Sequence, residues 1–232
     1  MLDINRHRIL MLQILKDIYT DTDISSCLGF KGGSALMFFY ELPRFSVDLD
    51  FNLLEPLKES MVYEKICSIT QKYGKIVDSQ DKFYGPLAVL NYGSGQRNLK
   101  VEISNRIYDN HYESKNLVGL NITVLTAPDM FAHKLCALLD RSEVTNRDIF
   151  DVWFFMNSRT PLNSGIIEYR MKMPLSDYLG KCIEVIGKMD SKKILDGLGD
   201  LMDEDMKAFT KKKLLPETIT LLQSYRAFPI LI

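Results

Sequence analysis

Two aspartates, Asp48 and Asp50, stand at positions i and i+2 in the run Arg44-Phe45-Ser46-Val47-Asp48-Leu49-Asp50-Phe51-Asn52. On a strand that spacing puts both carboxylates on one face, about 6.5–7 Å apart along the backbone. Val47, Leu49 and Phe51 then point the other way, into a core. Such a pair suits a hard divalent cation, because Mg²⁺ takes oxygen ligands and keeps positions for phosphate and water. One short helix upstream lies Lys31-Gly32-Gly33-Ser34-Ala35-Leu36. Paired glycines let a backbone approach phosphate closely, and the amides of a helix N-terminus face it. A D-x-D alone is common at strand ends, and Gly-Gly-Ser alone is an ordinary turn. Glycine turn, helix and acidic strand together are the parts of a metal-dependent nucleotidyl-transfer site. Asp48 and Asp50 would ligate the metal, Mg²⁺ or Mn²⁺ in its place, and Ser34 with the Gly33 amide would hold the β- and γ-phosphates of an NTP.

The elements that must carry these residues can be read from periodicity. Apolar positions 9, 10, 12, 14, 15 and 18 predict an amphipathic helix over 4–19. Residues 28–30 predict a strand into the glycine turn, 34–40 a buried helix ended by Pro43, and 46–54 the acidic strand. A helix over 57–73, with Met61, Ile66, Ile69 and Tyr73 on one side, is followed by extended runs 75–77, 87–92 and 98–103. Gly93-Ser94-Gly95 marks a hairpin turn, and 117–125 holds a further extended pair around Gly119. Thr126 and Asp129 predict a capped helix start running to about 140, and Thr145 starts another to 157. Residues 157–165 read as the weakest joint, and the chain is mostly helical from Pro174, punctuated by Gly180, Gly187, Gly197 and Gly199. The expected fold is α+β: a minimal mixed sheet flanked by helices over residues 1–125, then a helical region over 126–232.

Composition narrows the class. The chain has 232 residues, 46% of them hydrophobic and 25% charged, which allows a sizeable core. A net charge of −1 means that any RNA-binding face must be local. The four cysteines and three histidines have no zinc-ligand spacing. Reduced thiols are expected, with a structural role for His133. No signal peptide or membrane span is visible, so a cytoplasmic location is expected.

Residues 31–54 resemble the first motif of the DNA polymerase β-like nucleotidyltransferases. More narrowly, Gly-Gly-Ser-Ala-Leu with Arg-Phe-Ser-Val-Asp-Leu-Asp-Phe resembles the AbiEii/AbiGii family, whose members include abortive-infection and MenT-type toxins. Lys134-Leu135-Cys136-Ala137-Leu138 through Asp140-Arg141, then Arg147-Asp148-Ile149-Phe150-Asp151, matches that family's K-L-x-A-L…R and R-D-x-x-D pair. The resemblance covers about residues 28–157. It favours Glu102, polar between Val101 and Ile103, as the third metal carboxylate over a merely solvent-facing acid. Aspartate is commoner there in the wider superfamily.

The resemblance also implies a function for Asp148, with Asp151 as its possible helper; a capping box with Thr145 is the structural alternative. Lys134 and Arg141 lie seven residues apart, on one helical face, and could meet a triphosphate. Arg44 is a further basic candidate, with an ion pair to Glu41 as the duller reading. Lys211-Lys212-Lys213, with Lys207, either touches an RNA backbone or is a solvated face.

The reaction implied is transfer of a nucleoside monophosphate from an NTP to an acceptor hydroxyl. The resemblance implies the toxin of a bacterial toxin–antitoxin or abortive-infection pair, with tRNA 3′ ends as acceptor, a cognate antitoxin as partner and no membrane. An RNA face would draw on Lys31, Arg44, Lys134, Arg141 and the tail. The alternatives are an antibiotic- or protein-modifying nucleotidyltransferase and a nucleotide-binding module without catalysis.

Overall fold

The computed structural model describes residues 3–141 and 143–232, apart from the side chains at 81 and 82. The chain divides into two compact units. One comprises the residues up to Glu41 with Phe45–Tyr108 and Tyr112–Leu125; the other comprises Leu42–Arg44, Asp109–His111 and Thr126–Ile232.

The first unit is built on a mixed sheet. Its described strands are β1 (Leu28–Lys31), β2 (Leu49–Leu53), β3 (Lys75–Lys82), β4 (Gly85–Asn91), β5 (Leu99–Ser104), β6 (Tyr112–Leu117) and β7 (Leu120–Leu125), in the order β3-β4-β5-β2-β1-β7-β6. β2 runs parallel to β5 and β1 parallel to β7; the other neighbours are antiparallel. One face is apolar. Leu49 pairs with Val101, Phe51 with Ile103, and Phe30 with both Phe51 and Val124, and all are fully buried. A one-residue slip of β2 would turn its buried set outward, at about 1.5–3 kcal/mol for each large side chain exposed. That cost pins the register, and with it the acids between these residues.

Helix α1 (Ile4–Thr20) is capped by Asp3, whose side chain accepts from the Arg6 amide at 3.0 Å. It buries His7, Leu10, Met11, Ile14, Leu15 and Ile18, a stripe at helical spacing. Helix α2 (Gly32–Phe39) starts two residues earlier than expected and stops before Pro43 can act. Glu41 already stands at φ 59°, off the helical path. Helix α3 (Glu59–Gln71) follows a 3-10 turn over Pro56–Lys58 and buries Val62, Ile66 and Ile69. Val62 takes the core place expected for Met61.

The second unit is helical. It holds α4 (Ala127–Asp140), α5 (Asn146–Asn157), α6 (Ser164–Met171), α7 (Leu175–Gly187), α8 (Glu204–Lys212) and α9 (Leu214–Ala227). Phe131 of α4 stacks on Phe155 of α5 with ring centres 5.1 Å apart, and both are buried. α6 begins within the stretch read as a joint. Gly180, read as punctuation, lies inside α7, where a Cβ would come 3.2 Å from the Arg226 guanidinium. The expected capping box at α4 does not form. Thr126 caps by its backbone alone, and its buried hydroxyl lacks a hydrogen-bond partner. Asp129 turns instead to the 109–111 segment and α6, accepting from the His111 amide and, at 2.7 Å, from Asn163 Nδ2.

No described helix is long and apolar enough to cross a membrane. The cysteines are free; Cys27, Cys136 and Cys182 are buried. Burial pushes the Cys136 and Cys182 thiols up to about 12.

Candidate active site

In the first unit, β2 begins at Leu49, so Asp48 precedes the strand instead of lying within it. The alternation nevertheless runs through both acids. Val47, Leu49 and Phe51 are buried, while Asp48 and Asp50 are half-exposed. The parallel β2–β5 pairing sets Asp50 directly opposite Glu102. Register partners on neighbouring strands share a face, so Asp50 and Glu102 lie on the same side of the sheet. Glu102 is exposed, between buried Val101 and Ile103.

The glycine turn is shaped around Asp50. Gly32 has φ +78°, and a Cβ there would lie 2.5 Å from Asp50 Oδ2. Only glycine combines that backbone with that approach. The Asp50 carboxylate therefore rests at the N-terminus of α2, where a negative charge is favoured by the aligned peptide dipoles. Gly33 and Ser34 are buried in the first turn of α2. The Ser34 hydroxyl donates to the Asp48 carbonyl, so here it braces the acidic segment. Lys31 ends β1 opposite Asp50, and its Nζ donates to Asn52 Oδ1 at 2.6 Å.

The donor set suits a hard cation in part. The described residues contain no group of three or more His, Cys, Asp or Glu side chains gathered closely enough to hold a metal ion. Mg²⁺ needs no such cage, since one or two carboxylates with substrate phosphates and water suffice. Two half-exposed aspartates beside a cradle that a Cβ would fill meet that lesser demand.

In the second unit, the motif residues form one ionic cluster. Asp151 is fully buried and takes two bonds from Arg44, Nε to Oδ1 and Nη2 to Oδ2, each 2.7 Å. Lys134 Nζ lies 2.7 Å from Asp151 and 3.1 Å from Asp148. Asp148 also accepts from the Thr145 hydroxyl at 2.8 Å, and its amide donates to Thr145 Oγ1. Arg141 stands just past the end of α4, in extended conformation, with Nε 3.4 Å from Asp148. Thr145 thus caps α5 through the Asp148 amide, the Asp148 carboxylate joins the cluster, and Asp151 is its buried centre. Burial pulls the Lys134 pKa down, but the Asp151 and Asp148 carboxylates outweigh it and hold the ammonium above its usual value. Burial likewise pushes Asp151 up, and Arg44 with Lys134 overrides it, so Asp151 titrates below the usual range. Arg44 meets Asp151, 107 positions away. Nothing in the local sequence pointed to this contact.

Lys211, Lys212 and Lys213 are exposed at the end of α8. His133 is occupied within the second unit, Nε2 meeting Asn110 Oδ1 and Nδ1 meeting Arg170, each at 2.7 Å.

The glycine turn, acidic strand and mixed sheet define a nucleotidyltransferase fold. A Helicobacter pylori protein assigned as a nucleotidyltransferase is similar over 97% of this chain and 96% of its own, with a TM-score of 0.62 and 22% identity. JHP933 from Helicobacter pylori is similar over 99% and 95%, again with a TM-score of 0.62 and 22% identity. MenT4, a nucleotidyltransferase toxin from Mycobacterium tuberculosis H37Rv, is similar over 95% and 87%, with a TM-score of 0.54 and 16% identity. These likenesses concern the fold. A comparison with the curated proteins found no match. The pattern of the family described as nucleotidyl transferase AbiEii toxin, type IV TA system, matches residues 13–218. The chain belongs to this AbiEii family of toxin nucleotidyltransferases.

Proposed function

We propose that the chain moves a nucleoside monophosphate from an NTP to the 3′ hydroxyl of an RNA, tRNA in the first place, in a Mg²⁺-dependent reaction. The observation that carries this reading is the Asp50 carboxylate seated over the Gly32 turn, with Asp48 beside it and Glu102 across the strand pair. Bound Mg²⁺ would neutralise the triphosphate and stabilise charge on the attacking and leaving oxygens. The chain's own groups position the reactants. Asp48 and Asp50 would supply the metal ligands, Glu102, on the register position opposite Asp50, would lend a third carboxylate, and the Gly33 amide would face phosphate. The acceptor oxygen bonds to the α-phosphorus as the bond to the pyrophosphate oxygen breaks. Positioning and charge neutralisation carry such chemistry without a covalent enzyme intermediate.

The family motif supports Lys134, Asp148 and Arg141 as further functional groups, with Lys134 and Arg141 for phosphate. We assign the transferase core to residues 1–125 and these groups to the helical region 126–232. The proposed setting is the cytoplasm, where the chain acts as the toxin opposite a cognate antitoxin and blocks aminoacylation. The test is incubation with each labelled NTP, Mg²⁺ and total tRNA. Labelled RNA that is absent with Asp50→Ala supports the reading; no labelled RNA with any NTP rejects it.

A further inference from the structure

The inward stripe of α1 holds one polar side chain, His7, among Leu10, Met11, Ile14, Leu15 and Ile18. His7 is completely buried. A leucine there would continue the stripe with no polar group to satisfy, whereas a buried imidazole costs free energy unless both nitrogens find partners. Both do. Nε2 lies 2.8 Å from the Val47 carbonyl and Nδ1 2.7 Å from the Tyr92 hydroxyl. A carbonyl only accepts, so Nε2 carries the proton and donates to Val47, and Nδ1 accepts from Tyr92. Burial lowers the His7 pKa and favours this neutral form. The ring meets Phe45 and Tyr92 edge-on at 5.8 and 5.5 Å. Arg6 holds Tyr92 in turn, with its Nη2 3.0 Å from the Tyr92 carbonyl and its guanidinium 5.5 Å from the ring centre.

What His7 grips is the peptide that enters Asp48. Strand β2 starts only at Leu49, so this approach segment lies outside the ladder. Two side chains hold it instead. His7 donates to the carbonyl before Asp48, and Ser34 donates to the carbonyl of Asp48 itself. A side chain whose two flanking peptides are pinned is restricted in direction, and reaction rates depend steeply on such placement.

We propose that His7 is a positioning residue for the transfer reaction, aiming the Asp48 carboxylate by fixing the Val47–Asp48 peptide. The proposal rests on Asp48 being a working metal ligand. It goes beyond the family match, which begins at residue 13.

The test compares His7→Leu, which fills the stripe without a donor, with His7→Gln, whose amide can donate where Nε2 does. Affinity for Mn²⁺ alone is measured by titration calorimetry, alongside kcat, KM for the NTP, and Tm. Outer-shell partners of metal ligands are worth about 10–100-fold in metal affinity or activity. His7→Leu is expected to lose Mn²⁺ affinity and kcat in about that range, with KM little changed and Tm modestly lowered, because the Val47 carbonyl and the Tyr92 hydroxyl each lose a buried partner. His7→Gln is expected to recover most of the loss. Parental Mn²⁺ affinity and kcat in His7→Leu overturn the proposal, as does a kcat loss that follows Tm and is not rescued by His7→Gln. If His7→Leu does not fold, His7→Asn, too short to reach Val47, replaces it, and equal Mn²⁺ affinities in the Asn and Gln variants overturn the proposal. An Asp48→Ala control that binds Mn²⁺ and turns over normally brings down the Asp48 reading, and the proposal with it.

Discussion

The Asp50 carboxylate lies so close over Gly32 that a Cβ on Gly32 would stand 2.5 Å from Oδ2. The same glycine holds φ +78°, so a side chain there is opposed by both backbone and neighbour. Gly32→Ala is expected to lose about 1–3 kcal/mol of stability and most transfer activity, because Asp50 must move. Urea titration and a turnover assay check this. Parental turnover in the variant would mean that the Asp50 placement is dispensable.

Asp48→Ala and Asp50→Ala should each abolish transfer while the fold survives, since both carboxylates are half-exposed and outside the apolar core. Loss of a metal ligand is expected to cost several kcal/mol of transition-state stabilisation, roughly a thousandfold or more in rate. Glu102→Gln should fall between these variants and the parent. A folded Asp50→Ala protein with normal turnover would sink the metal-ligand reading.

Asp151→Asn should destabilise the second unit by about 3–5 kcal/mol, because the buried Arg44 loses the carboxylate it grips and Lys134 keeps only Asp148. The pH dependence has a definite sign. Asp151 titrates below its ordinary 3.8, so its contribution is present above that value and lost as pH falls through the lowered one. Lys134 titrates above its ordinary 10.5, so its contribution is present below that value and lost as pH rises through the raised one. Thermal melts from about pH 4 to 10 should show little change from this cluster, with losses outside that range. A stability change centred near neutral pH in the parent, absent from Asp151→Asn, would contradict this.

Lys134→Ala tests whether the cluster has a function besides stability. A phosphate-handling lysine predicts a raised KM for the NTP as well as a lowered kcat, in a protein that still melts cooperatively. A variant that is destabilised yet keeps the parental KM at low temperature would leave Lys134 a purely structural ion-pair partner.

Expression of the chain alone should slow bacterial growth, and Asp50→Ala should relieve the effect. RNA binding should weaken steeply with salt, log K falling with log[salt] by about 0.7 per neutralised phosphate on a single strand. Charge reversal at Lys211, Lys212 and Lys213 should flatten that slope if the exposed run touches RNA. Growth arrest that persists with Asp50→Ala would separate the harm from catalysis.

The amino-acid sequence by itself determined what near neighbours decide. Alternation around Asp48 and Asp50 put both acids on the side of the chain away from the core, because strand neighbours face opposite sides. Paired glycines marked the start of α2, and Thr145 with Asp148 marked the cap of α5, a contact three residues long. Local reading failed where distant partners compete. Asp129 looked like a cap for α4, yet His111 and Asn163 claimed it. The stretch 157–165 looked like a joint, yet α6 starts at Ser164, where packing of Ile166 and Ile167 outweighs weak propensity. The strand was expected from residue 46, yet the ladder begins with Leu49 opposite Val101, and ahead of it His7 and Ser34 take the Val47 and Asp48 carbonyls. Only the tertiary structure decided that Arg44 meets Asp151 across 107 positions, and that His7 reaches Val47 across 40. A buried ionic or polar group takes the partner that the packed core brings within reach, and the linear order of residues does not specify which one that is.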